Sequence, residues 1–340
     1  MNKPNIAILG ATGVVGREIT KIVNELGIDF NSIKFLSSPK SAGTKLEFKG
    51  KEYIVEETTP DSFNDIDIVL ASAGASTSKL YAPEIVKRGG VIIDNSSAFR
   101  MEKEVPLVIA GVNDEDLRWH KGIVSNPNCS TSQLMLVLEP LKQFGLKRLI
   151  VSTYQSVSGA GLAAIKELRA DTEANLRDEK FDNVCFKKPI SFNVIPQIDV
   201  FCENGYTKEE MKVVNETRKI LHLTNDVKIS CTAVRVPVYI GHSEAVDIEF
   251  DKSVTPEEVR KVLSNSFGVE VIDNPDNYEY PTTRDAAGKD PVYVGRIRRN
   301  LGFDNGISLW CVADNLRIGA ALNTVRICKS IIDMKLWKRA

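Results

Sequence analysis

Continuous apolar runs, each followed by a stretch of helical period, dominate the first third of the chain. Asn5-Ile6-Ala7-Ile8-Leu9, Ser32-Ile33-Lys34-Phe35-Leu36, Ile66-Asp67-Ile68-Val69-Leu70-Ala71 and Gly90-Val91-Ile92-Ile93-Asp94 read as strands, three of them apolar enough for burial on both faces. Between them, the stretch from Arg17 to Leu26 carries apolar residues at 19, 22, 23 and 26, and a second helical stretch runs through Leu80 to Lys87. Strands and helices in alternation predict an α/β domain with a Rossmann-type, doubly wound parallel sheet. Gly122-Ile123-Val124 ends a further strand, and the apolar stretch from Gln133 to Leu141 reads as a helix closing near Gly145.

Beyond that helix the pattern changes. Lys147 to Gln155 is a strand, Ala163 to about Arg177 a helix, and Asp178 to Gly205 has little period and reads as an irregular excursion, a candidate subunit contact. Thr207 is a plausible cap for a helix reaching about His222. Ile229 to Pro237 and the alternating Ala245-Val246-Asp247-Ile248-Glu249-Phe250 are two long strands with no helix between them. A helix from Thr255 to about Phe267, a hairpin of 293–298 with 306–313, and an apolar-striped helix from Ile318 to Trp337 complete the chain. These elements predict an α+β second domain with a mixed or antiparallel sheet. At about 150 residues per domain, 340 residues fit two domains. The expected division is a dinucleotide-binding domain at 1–128, completed by a C-terminal helix at 316–340, and a catalytic and dimerisation domain at 129–315.

Composition narrows the function classes. Lys and Arg at 44 against Asp and Glu at 45 leave a net charge of −1, which gives no electrostatic case for nucleic acid or an anionic membrane. No apolar run approaches about 18 residues, and Met1-Asn2-Lys3-Pro4-Asn5 leads straight into a strand, so neither a span nor a signal peptide is expected. The six Cys are scattered without metal-like spacing; reduced thiols, a cytoplasmic location and no metal are the expectation.

Three stretches carry chemistry. Gly10, Gly13 and Gly16 stand between the first strand and the first helix, where glycines permit a tight turn and close approach of backbone to a pyrophosphate. The second strand runs into Ser37-Ser38-Pro39-Lys40-Ser41 with hydroxyls and a cation but no carboxylate, which suits a 2′-phosphate and favours NADP over NAD. Cys129, in Ser125-Asn126-Pro127-Asn128-Cys129-Ser130-Thr131, falls at a helix start, where unpaired N–H groups favour a thiolate and an oxyanion formed on what it attacks. A buried structural thiol is the commoner fate of a free Cys, so position alone leaves both readings open. Of the three His, His242 lies in a bend beside Gly241 and is the one suited to serve Cys129. Its spacing from Arg235 does not decide whether the two converge, because Pro237 and Gly241 interrupt the strand. Gln155 ends a strand before a small-residue loop and offers an amide donor, and Arg100 follows a strand at its ligand-binding edge. Glu209 and Lys212 read by default as an exposed i,i+3 ion pair.

With Gly10-x-x-Gly13-x-x-Gly16, Ser-Asn-Pro-Asn-Cys129-Ser-Thr, Gln155-Ser-Val-Ser-Gly-Ala-Gly and Arg235-Val-Pro-Val-Tyr-Ile-Gly-His242 in one order, the chain resembles the aspartate-β-semialdehyde dehydrogenases over essentially its whole length. Its compact second domain is similar to the shorter branch typical of Gram-positive bacteria and their relatives. The resemblance implies NADP-dependent reductive dephosphorylation of L-aspartyl 4-phosphate to aspartate semialdehyde, on the route to lysine (through diaminopimelate), threonine and methionine. It implies a homodimer or a dimer of dimers. It makes Cys129 the thioester nucleophile, His242 the acid/base and Gln155 the residue orienting the acyl group. Arg235 would bind the substrate α-carboxylate, Glu209 its amino group, and Arg100 and Lys212 the phosphate. Thr12, Gly13, Val14, Val15, Lys40, Ser41, Ser158, Gly159 and Asn315 would line the cofactor. The rivals leave residues unexplained: a Cys–His hydrolase has no use for the glycine loop, and an NADP-binding scaffold none for Cys129, Gln155 and His242. N-acetylglutamyl-phosphate reductase and glyceraldehyde-3-phosphate dehydrogenase share the chemistry but not the Asn-Pro-Asn-Cys and Arg-x6-His contexts.

Overall fold

The computed structural model describes residues 3–337; the expected domain ends at 1–2 and 338–340 lie outside them. Two compact units emerge, one running through Asn128 and taken up again from Ala320, the other spanning Cys129–Gly319.

The first unit is built from β1 (Asn5–Leu9), α1 (Val14–Glu25), β2 (Ser32–Ser37), β3 (Lys45–Phe48), β4 (Lys51–Ile54), β5 (Glu56–Glu57), β6 (Ile68–Ala71), α2 (Ala75–Lys87), β7 (Val91–Asp94) and β8 (Ile123–Ser125). Six of the strands form one parallel sheet in the order β5-β2-β1-β6-β7-β8, with Ile6 beside both Ile33 and Ile68. β6 and β7 are buried at every position, as their unbroken apolar runs require. Each such Val, Leu or Ile contributes about 1.5–3 kcal/mol by leaving water. α1 turns Ile19, Ile22 and Val23 inward. The order reverses between β1 and β6, so a crevice is expected beyond their carboxyl ends.

The second unit holds α3 (Cys129–Leu141), β9 (Leu146–Gln155), α4 (Leu162–Asn175), α5 (Lys208–Ile220), β10 (Lys228–Arg235), β11 (His242–Phe250), α6 (Pro256–Ser264), β12 (Val269–Val271), α7 (Thr283–Ala286), β13 (Val292–Arg299) and β14 (Gly306–Ala313). Its mixed sheet runs β10-β9-β11-β14-β13-β12. The two long strands expected from the sequence are therefore not partners: β9 lies between them, parallel to β10 and antiparallel to β11. α3 is buried at every residue from Ser130 to Leu138 and packs against β9, β11, β13 and β14. A helix apolar nearly all round belongs in a core. Between α4 and α5 the irregular segment is tied down by two carboxylates one turn apart. Glu167 accepts from the backbone N–H groups of Val184, Cys185 and Phe186, and Asp171 from those of Ile190 and Ser191. After one π-turn at Arg317–Ala321 the chain rejoins the first unit as α8 (Leu322–Asp333), which packs on α1, β6 and β7.

Candidate active site

In the first unit a cavity of about 420 Å³ lies beyond the ends of β1, β2 and β6, lined by Gly10, Thr12, Gly13, Ser37, Ser38, Thr58, Ser72 and Tyr81 among others. Gly10 has φ +84° and Gly16 presses onto it; a Cβ on Gly16 would lie 2.1 Å from the Gly10 carbonyl oxygen. Any side chain there would push α1 off the loop. Gly13 is the extended N-cap of α1, and the N–H groups of Val14 and Val15 open the helix, as an anion site requires. The lining carries hydroxyls and no carboxylate, with Thr12 Oγ1 2.8 Å from Ser37 Oγ. The residues present thus fit a dinucleotide. Lys40 and Ser41 occupy the single turn Pro39–Ser41 just outside the lining, where Lys40 is exposed. Ser72 and Thr58 were not singled out from the sequence; the strand order, which sequence does not give, brings them to the crevice. Arg100, in the loop after β7, is buried and donates from Nη2 to the Asn95 carbonyl at 2.8 Å.

In the second unit the register collects the other chemistry at one sheet edge. Gln155 and Arg235 end the parallel strands β9 and β10 side by side, and His242 begins β11 next to them. Cys129, half-buried, opens α3 with its Sγ 3.2 Å from His242 Nε2. The Ser156 backbone N–H donates to His242 Nδ1 at 3.1 Å. The neutral ring therefore carries its proton on Nε2, facing the sulfur. Burial, reinforced by the charge of Arg235, pushes the His242 pKa down to about 3, so the ring is neutral at physiological pH.

Arg235 and His242 do converge: a Cβ on Gly159 would lie 3.1 Å from Arg235 Nη1 and 3.3 Å from the His242 ring. Arg235 Nη1 donates to the Ser156 carbonyl at 2.7 Å. Asn315 Oδ1 accepts from Ser156 Oγ, Ser158 Oγ and the Gly241 N–H, at 3.0, 3.1 and 2.9 Å. This network makes Ser156 the residue that fixes the imidazole from behind. Sequence reading passed it over, although its place directly after Gln155 at a strand end was the available signal.

Gln155 Nε2 donates to Glu209 Oε1 at 3.0 Å, and Lys212 Nζ donates to Glu209 Oε2 at 2.9 Å and to Asp199 Oδ2 at 3.0 Å. The expected Glu209–Lys212 pair thus exists, but not as an exposed one: the side chains are 8% and 25% accessible. Burial works against the Lys212 charge, yet Glu209 and Asp199 outweigh it and raise its pKa. Losing one partner of such a pair costs several times the few tenths of a kcal/mol of a surface pair, on the order of 3–5 kcal/mol when burial is complete. Among the described residues no group of three or more His, Cys, Asp or Glu is placed to hold a metal ion, all six Cys are free, and no helix is long and apolar enough to cross a membrane.

A dinucleotide-type crevice on one unit and a thiol–imidazole pair flanked by Arg235 on the other define a dehydrogenase that works on an aldehyde or acyl group. Family comparison agrees: residues 5–120 match the semialdehyde dehydrogenase NAD binding domain, and residues 138–318 the semialdehyde dehydrogenase dimerisation domain. Aspartate-semialdehyde dehydrogenase of Bacillus subtilis (strain 168) is 48% identical over 341 residues, covering 98% of each chain. That of Aquifex aeolicus (strain VF5) is 50% identical over 332 residues, covering 96% of this chain and 97% of its own. The crystal structure of aspartate semialdehyde dehydrogenase II complexed with ASA from Vibrio cholerae superposes with a TM-score of 0.95 at 40% identity, covering 98% of this chain and 99% of that one. The chain belongs to the aspartate-semialdehyde dehydrogenase family.

Proposed function

We propose that the protein catalyses NADP-dependent reductive dephosphorylation of L-aspartyl 4-phosphate to L-aspartate 4-semialdehyde, and the phosphorylating oxidation in reverse, through a thioester on Cys129. The observation that carries this reading is the 3.2 Å approach of Cys129 Sγ to a buried His242 whose proton is confined to Nε2. The Cys129 thiolate attacks the acyl carbon; the S–C bond forms as the C–O bond to phosphate breaks, and the phosphate leaves as hydrogen phosphate, taking one proton from solvent. NADPH, when bound, supplies the hydride that reduces the thioester carbon. The first N–H groups of α3 stabilise the resulting thiohemiacetal oxyanion. His242 shares its Nε2 proton with that oxygen and recovers it as the C–S bond breaks and the aldehyde departs.

Arg235 suits the substrate α-carboxylate because a guanidinium offers two parallel donors. Glu209 binds the amino group, Gln155 orients the acyl group, and Arg100 and Lys212 take the phosphate. The hydroxyl-rich, carboxylate-free crevice supports NADP rather than NAD, with Lys40 and Ser41 toward the 2′-phosphate, Gly10 through Gly16 under the pyrophosphate, and Ser158, Gly159 and Asn315 as further cofactor contacts. The name of the matched dimerisation domain supports a homodimer, or a pair of dimers, built through the second unit. The free thiols fit a cytoplasmic enzyme of lysine, threonine and methionine synthesis.

Intact-mass analysis after mixing with aspartyl phosphate in the absence of cofactor tests the covalent step. The expected result is an aspartyl adduct on Cys129 with one equivalent of phosphate released. Phosphate release without an adduct, or an adduct retained in Cys129→Ala, would overturn it.

A further inference from the structure

The loop that carries Arg100 is held mainly by side chains rather than by a backbone ladder. From Asn95 to Arg100 the chain is neither helix nor strand, and the buried Arg100 donates from Nη2 back to the Asn95 carbonyl. The guanidinium therefore inherits the path of the residues before it. That path starts at Asp94, which ends β7 between β6 and β8, opposite Ala71 and Ser125. Asp94 is 0% exposed. Its Oδ1 accepts from Ser78 Oγ of α2 at 2.6 Å and from the Ser96 backbone N–H at 3.0 Å, and its Oδ2 accepts from Ser96 Oγ at 2.7 Å. Ser96 Oγ in turn accepts from the Ala98 backbone N–H at 3.1 Å. Asn95 is pinned separately: its backbone N–H and Nδ2 donate to the Ala71 carbonyl at 3.1 and 2.8 Å, and its Oδ1 accepts from Thr324 Oγ1 at 2.9 Å. The freedom that remains lies between Ser96 and Arg100, where the Ser96 hydroxyl acts.

The groups that donate to Asp94 are neutral hydroxyls and an amide. A carboxylate buried among neutral donors costs more in desolvation than an amide or an apolar side chain would. What it supplies in return is acceptor capacity on both oxygens at once, one turned to α2 and the Ser96 N–H, the other to the Ser96 hydroxyl. We propose that Asp94 and Ser96 are positioning residues for the phosphate step: the links from Asp94 to Ser96 and from Ser96 to Ala98 fasten the loop to the end of the sheet and so aim Arg100 at the anion. The inference rests on the reading that Arg100 takes the phosphate. A guanidinium binds phosphate through two parallel N–H donors, so its grip depends on angle as well as distance. A loop that drifts by a fraction of an ångström would loosen that grip and leave the other substrates' contacts untouched.

Steady-state kinetics in the phosphorylating direction, with phosphate, aspartate semialdehyde and NADP varied in turn, test it. Ser96→Ala removes the hydroxyl that joins Asp94 to Ala98, and Asp94→Asn turns one of the two acceptor oxygens into a donor. Each should lower kcat/KM for phosphate by about tenfold or more while the KM values for aspartate semialdehyde and NADP change by less than about threefold. A general loss of packing does not produce that selectivity. Ser78→Ala cuts only the tether to α2, so kcat/KM for phosphate should stay within about threefold of wild type. In an Arg100→Ala background, itself down by about a hundredfold, Ser96→Ala should cost less than about threefold more, because both act through one guanidinium. Unchanged phosphate kinetics in Ser96→Ala, equal losses for all three substrates, as large a loss in Ser78→Ala, or a full additional tenfold loss in the Arg100→Ala background overturns the proposal. Should Asp94→Asn fail to fold, Ser96→Ala decides alone. A large loss in Arg100→Ala beside wild-type phosphate kinetics in Ser96→Ala sinks this inference alone; unchanged phosphate kinetics in Arg100→Ala sinks the reading of Arg100 and this inference with it.

Discussion

At the residue scale, the site is a matter of where one proton sits. The Ser156 N–H occupies His242 Nδ1, which leaves Nε2–H for Cys129, and burial keeps the ring from taking a second proton until about pH 3. In the unfolded chain the same ring protonates near 6.5. Between those values the unfolded state binds more protons, so stability falls as pH drops from 6.5 toward 3. His242→Gln should flatten the dependence of Tm on pH across that window, whereas an unchanged slope would mean the native ring is already charged. Cys129, Gln155 and His242 were legible in the sequence because each stands at a strand end or helix start with few rivals of its type. Ser156 was not, because its contacts with His242 and Asn315 are made across strands rather than in its own neighbourhood.

The elements act mainly by holding termini together. α3 starts at Cys129, and the π-turn before α8 presses Gly319 against it: a Cβ on Gly319 would lie 2.7 Å from Cys129 Cβ. Gly319→Ala should therefore displace the sulfur, lowering kcat by about tenfold or more while costing about 1–3 kcal/mol of stability by overpacking. A variant with wild-type kcat and Tm would show that the turn yields freely. Apolar runs revealed β1, β6 and β7, since burial on both faces leaves an unbroken signal. They did not reveal β3 and β4, a hairpin of four-residue strands, largely exposed, joined through Lys49 and Gly50 at φ +50° and +71°. A Lys in that left-handed position is not a turn signal that composition announces. Strand pairing was equally hidden: nothing in the sequence between Arg235 and His242 says that β9 will lie between β10 and β11.

For the whole molecule, the second unit presents an outer face that an isolated subunit would leave wet. A groove of about 530 Å³ is lined by Tyr154, Val236, Val238, Tyr280, Leu309 and Trp310, with the Tyr154 and Trp310 rings 5.4 Å apart. Ile150, two positions before Ser152 on β9, is exposed as well. Outward-facing apolar side chains on β9 and β14, the two neighbours of β11, are what a self-associating sheet face requires. Tyr154→Arg should convert a species of twice the 37.6 kDa chain mass into one of that mass in light scattering, and a variant that stays paired would move the interface elsewhere. The most direct measurement of the account as a whole is phosphate-dependent reduction of NADP with aspartate semialdehyde, wild type beside Cys129→Ala. Wild type should reduce NADP only when phosphate is present, with NAD a much poorer acceptor, and the variant should fall by about 10³-fold or more. Activity that persists in Cys129→Ala, or that proceeds without phosphate, would contradict a thioester on Cys129 as the centre of this enzyme's chemistry.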